Sequence, residues 1–141
     1  MTTRAEQWAP PCGEDIALHT AGRWWDTVRV PEPFGDRTLQ LLGEASGAVI
    51  ENYGTLYWLV PTGSAADWRI RRVSVLCTNE RESGHLGVPP AHWAEGPGPH
   101  WRVPFREGRY LTDAVCLHEA LRAAVREYLE QGGGDADLRP V

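Results

Sequence analysis

The chain is 141 residues long, 42% apolar and 23% charged, which suits one compact domain and is too short for two ordinary ones. Its formal charge is −5, all 14 of its Lys+Arg residues are Arg, and its mean hydropathy is −0.40. An acidic chain is a poor general binder of polyanions, and no apolar run approaches the roughly 18 residues that a membrane span needs.

In chain order, the first 12 residues are expected to be loosely held, because Pro10-Pro11 continues neither a helix nor a central strand. Trp24–Val30 is dense in aromatic and β-branched side chains and predicts a strand, stopped by Pro31 and Pro33. A short helix is expected over 35–45, with Leu39 and Leu42 on one face and Gly43 near its end. Ala48–Glu51 and Thr55–Val60 predict two strands joined by Asn52-Tyr53-Gly54, where Asn and Gly can supply positive φ. One helical turn is expected at 64–68. The alternation from Ile70 to Cys77 predicts a further strand, and 85–90 and 101–104 predict two short ones.

The clearest element is TDAVCLHEALRAAVREYLEQ. Thr112 or Asp113 caps it, and Val115, Leu117, Leu121, Val125, Tyr128 and Leu129 recur near a period of 3.6. Three glycines at 132–134 end it. The predicted fold is α+β, a small and mostly antiparallel sheet with two main helices. The expected organisation is a loose stretch over 1–12, one domain over 13–131 and a flexible tail over 132–141.

The segments GRWWDTVRVPEPFGDRTLQLL, GTLYWLVP, SGHLGVPPAHWAEGPGPHW and YLTD form a series. It resembles the N-terminal catalytic domain of bacterial bifunctional DNA primase/polymerases of the archaeo-eukaryotic primase type. It is more similar still to short single-domain bacterial proteins described as primase/polymerase-like. The resemblance spans about Arg23 to Ala123 and implies a primase/polymerase-like fold. In the active family a strand carries two acids, separated by one position, that hold divalent metal. Those positions fall near Val28 and Val30 here, with Asp26 the only acid in that strand. Thr55 stands where the family carries a His, and Ser74 where it carries another acid. Val, Thr and Ser cannot hold Mg²⁺, which takes hard anionic oxygens. The resemblance therefore implies a relative without catalysis, with neither cofactor nor metal.

Other constellations are thinner. His85, His92 and His100 lack the tight spacing of zinc ligands. Cys116, His118 and Glu119 read as a buried cysteine beside an exposed histidine rather than as a nucleophile–base pair. The odd count of three cysteines, Cys12, Cys77 and Cys116, with no close pair, predicts free and mostly buried thiols in a reducing cytoplasm. The residues before Gly22 show no apolar export core, which points the same way.

Arg69, Arg71 and Arg72, followed by Arg81, form the basic cluster of the chain, suited either to phosphate contact or to a solvated strand edge. Trp93 and Trp101 flank a segment rich in Gly and Pro, and serve either as stacking platforms or as staples of that loop to the sheet. The function expected is a non-catalytic accessory or regulatory module. Its ligand-binding candidates are Arg71, Arg72, Trp93, His100 and Arg102, and its partner is a nucleotide, a single-stranded nucleic acid or a protein. The alternatives are a protein-interaction domain, homo-oligomer included, and an enzyme of unrelated chemistry built on Asp26, His100 or Cys77. No membrane role is expected.

Overall fold

The computed structural model describes residues 8–76 and 85–130. Seven strands and two helices follow in the order β1 (Ala17–Thr20), β2 (Asp26–Pro31), α1 (Glu32–Leu42), β3 (Val49–Asn52), β4 (Thr55–Val60), β5 (Ser74–Leu76), β6 (His85–Val88), β7 (His100–Val103) and α2 (Ala114–Glu130). The fold is α+β. Five strands form one sheet in the order β5-β2-β4-β3-β7, and β1 and β6 form a separate two-stranded ribbon; every pairing is antiparallel. Among the described residues, no helix is long and apolar enough to cross a membrane.

Alternation along the strands builds two cores, one on each face of the sheet. On one face Val28, Val30, Leu56, Trp58 and Val60 meet Phe34 of α1 and Leu117, Leu121 and Val125 of α2. On the other, Ile50, Leu59 and Trp101 meet Leu86 and Val88 of the ribbon, together with Trp8 and Trp25. The layers are thus helices, sheet and ribbon. Trp8 is only 4% exposed and its ring meets those of His19, Trp25, Phe105 and Tyr110. The expected loose hold on the first 12 residues therefore does not reach Trp8. Residues 1–7, Cys77, Arg81 and the tail over 132–141 lie outside the described residues.

Several local expectations are corrected. β1 was not anticipated, since ALHT is short and carries no strong strand signal. Helix α1 starts at Glu32, before the expected Gly35, because Pro33 falls in the first turn, where its missing N–H breaks no bond. The β3–β4 turn uses Tyr53 (φ 47°) and Gly54 (φ 83°), not Asn52, which pairs with Thr55. A two-residue hairpin of this kind needs positive φ at both central residues. The strand expected from Ile70 begins only at Ser74, since Arg72 at φ 67° turns the chain and the Val73 N–H donates to the Ile70 carbonyl. Of the two caps expected for α2, Asp113 is the one used: its Oδ2 accepts from the Cys116 N–H at 3.0 Å, whereas the Thr112 hydroxyl oxygen accepts from the Gly47 N–H. Val115 lies off the buried stripe of that helix, 66% exposed.

Candidate ligand-binding groove

Between β4 and β5 the chain makes successive tight turns, with backbone bonds from Ser64 to Pro61, Trp68 to Ala65 and Val73 to Ile70. Ala65 is fully buried, and Trp68, Ile70 and Val73 pack on the helix-side core. These apolar residues pin the segment against α2 and leave the intervening Arg69 and Arg71 at the surface. The ring of Trp68 meets that of His118 edge-on, with centroids 4.9 Å apart.

The result is a groove along α2. Its wide part, about 650 Å³, is lined by Ser64, Asp67, Trp68 and Arg69 on one side and Val115, His118, Glu119 and Arg122 on the other. Its narrow part, about 250 Å³, is lined by Arg69, Arg71, Arg122 and Arg126 over a floor of Ile70, Val125 and Leu129. Arg69 and Arg122 line both parts, so the two adjoin. Arg122 and Arg126 are four residues apart on one helix and so share a face. None of Arg71, Arg122 and Arg126 forms an ion pair with a described carboxylate.

The five candidates named from the sequence do not share this groove. Arg71 lines it. Arg72 stands beside it in the turn, exposed. Trp93, His100 and Arg102 belong to the opposite edge of the sheet. β5 and β7 are separated by four strand spacings, roughly 19 Å.

At that far edge Arg102 is an extra residue in β7. Val49 pairs with Val103 and Ile50 with Trp101, which leaves Arg102 in a bulge. Its guanidinium donates to Glu51 at 2.9 Å and to Asp36 at 2.8 Å. Burial by itself lowers its pKa, and the two carboxylate hydrogen bonds outweigh this and hold it above the ordinary guanidinium value. His100 is 8% exposed, its Nδ1–H donates to the Gly98 carbonyl at 2.7 Å, and its Nε2 lies 3.6 Å from Glu51. Trp93 is half-buried and its carbonyl accepts from the Trp101 N–H. Trp101 is 2% exposed and donates from its indole to the Pro89 carbonyl at 3.0 Å, so it staples the loop. The side chains of His100, Trp101 and Arg102 are already engaged within the protein.

The positions to which the resemblance assigns metal-holding acids do not fit a metal. Val28 and Val30 have no exposed surface and lie in the core beneath the helices. Ser74 and Thr55 lie on β5 and β4 with neutral side chains. Among the described residues no group of three or more His, Cys, Asp or Glu is arranged to hold a metal ion. Asp26 is buried and accepts from the Gly63 N–H at 2.8 Å. It stands three strand spacings, roughly 14 Å, across the sheet from His100 and four residues out of register with it, so the two do not act on one reacting atom.

Two cysteine expectations are corrected. Cys12 and Cys116 are exposed, and His118 is half-buried against Trp68. Cys116 sits in the first turn of α2, off the stripe that packs on the sheet. The hydrogen bond to Asp113, then some loss of hydration, then the charges of Asp113 and Glu119 raise its thiol pKa, which keeps it protonated and a poor nucleophile.

Arg122, Arg126, Trp68 and His118 were not singled out as site residues from the sequence. The i, i+4 pair of arginines on α2 was the available signal, but nothing local tied it to Arg69 and Arg71, more than fifty residues earlier. No family model, no curated protein and no solved structure matches this chain.

Proposed function

We propose that this chain is a non-catalytic accessory or regulatory module, on a primase/polymerase-like scaffold, that binds a phosphate-bearing ligand in the α2 groove. The ligand class is a nucleotide or a short single-stranded nucleic acid. The observation that carries this reading is the convergence of Arg69, Arg71, Arg122 and Arg126 on one apolar-floored groove in a chain of net charge −5. Guanidinium groups match phosphate oxygens in bidentate geometry, and Trp68 and His118 supply ring surface for a base. The neutral side chains at Val28, Val30, Thr55 and Ser74 support a role without metal-dependent phosphoryl transfer.

The test is a titration of fluorescent ATP and of a labelled single-stranded oligonucleotide at low and at high salt. Binding is expected at low salt and weakens as salt rises. The double change Arg71→Gln, Arg126→Gln weakens it at least tenfold, since each lost charged hydrogen bond is worth roughly 1.5–3 kcal/mol. Arg102→Gln leaves it unchanged. Absence of binding by either ligand at low salt overturns the reading.

A second reading, a protein-interaction domain that includes self-association, is favoured by one observation. Leu18 (71% exposed) and Ile16 (43% exposed) stand on and beside strand β1 of the ribbon.

A further inference from the structure

We propose that the groove holds a single mononucleotide lengthwise and selects a base that carries an exocyclic amino group. This rests on the reading of the groove as a phosphate site and deepens it.

The charge of the groove is divided along its length. Asp67 and Glu119 line only the wide part, whereas Arg71 and Arg126 line only the narrow part. Arg69 and Arg122 stand at the junction. A nucleic-acid strand carries a phosphate on every residue. Laid along the groove, it would set negative charge against Asp67 and Glu119, and like charges in contact disfavour binding. A mononucleotide carries its anionic charge at one end only. Its phosphates fit the narrow part and its base the wide part.

Dimensions agree with this division. Val115 and Arg126 are eleven residues apart on α2, roughly 16 Å along the axis, a length on the scale of an extended nucleoside triphosphate. The wide part, about 650 Å³, lies within the roughly 300–1,000 Å³ typical of small-molecule sites.

The chemistry of the wide part sets the base preference. Ionised carboxylates only accept hydrogen bonds, so Asp67 and Glu119 favour a base edge that donates. An exocyclic amino group donates, and a keto oxygen in the same place does not. A keto group there would face the carboxylates with lone pairs alone. Trp68 and His118, in edge-on contact with each other, add ring surface to the same lining.

The experiment is a calorimetric titration of the full chain with ATP, with inosine triphosphate, with inorganic triphosphate and with single strands of increasing length. Adenine carries an amino group where hypoxanthine carries a keto oxygen, and hypoxanthine carries its own donor at N1–H, so the first pair compares a donor at the exocyclic position with one on the ring edge. ATP is expected to bind about tenfold more tightly than inosine triphosphate, the effect of one charged hydrogen bond. The double change Asp67→Asn, Glu119→Gln narrows that gap without weakening inorganic triphosphate. Arg122→Gln weakens all the triphosphates together. Equal affinity for ATP and inosine triphosphate overturns the inference, as does single-strand binding that exceeds that of ATP and rises with length; in both cases the groove still stands as a phosphate site. Failure of every probe to bind overturns the inference and the proposed function together.

Discussion

The contrast between Arg102 and Arg126 shows that an arginine is defined by its neighbours. Arg102 donates to two carboxylates that stand on β3 and α1, so its charge organises the protein's own surface. Among the described residues Arg126 forms no such ion pair, and it lines the groove exposed. Histidines differ in the same way. His100 is held by the Gly98 carbonyl, whereas His19 packs against the rings of Trp8 and Trp25. Burial there lowers the His19 pKa below the ordinary imidazole value. The folded state then binds fewer protons than the unfolded state near pH 6, so stability is complete above the ordinary value and falls as pH drops through it toward the folded-state pKa. Thermal melts between pH 7.5 and pH 5 are expected to show that loss, and His19→Gln to remove part of it. An identical pH dependence in the variant would contradict the burial of an ionisable ring at this place.

At the level of elements, α2 has two faces with separate duties. Leu117 and Leu121 are fully buried against the sheet, while Val115 is 66% exposed beside the groove. A charge at Leu121 must enter the helix–sheet core unpaired, which costs several kcal/mol in a domain of typical stability of about 5–15 kcal/mol. Leu121→Asp is therefore expected to unfold the protein, by circular dichroism and loss of a cooperative melt. Val115→Asp is expected to leave the melt close to that of the parent chain. Folding of both variants, or of neither, would place the wrong face of the helix against the sheet. The turn over 61–73 follows the same logic in miniature: Ala65, Trp68, Ile70 and Val73 anchor it, and the arginines between them form one wall of the groove.

At the scale of the whole molecule, the sheet separates two regions with different charge balance. At the β7 edge Arg102 is matched by Asp36 and Glu51, and at the α2 edge four arginines gather. The ribbon adds a third surface, where Leu18 and Ile16 are exposed. If that surface mediates self-association, sedimentation velocity is expected to show a mass that rises with protein concentration and that Leu18→Ser returns to the monomer value. A monomer mass at every concentration would remove the self-association reading and leave the groove as the principal functional surface.

The α+β class, the existence of α2 and most of the strands were legible in the sequence, because period-3.6 and strand-type patterns, Pro, Gly and capping residues act within a few neighbours. The position of Trp101 as a staple was legible in kind, as one of two roles for a large ring beside a Gly/Pro-rich loop. The grouping of the candidate residues was not. Arg71 and Arg102 look alike in sequence, yet strand order carries them to opposite edges of the sheet. Arg71 and Arg126 are 55 residues apart, yet helix packing brings them to one groove. Local sequence determined which segments could be helix or strand. Only tertiary packing decided which charges were paired within the fold and which were left facing outward, because pairing depends on distance in space and not on separation along the chain.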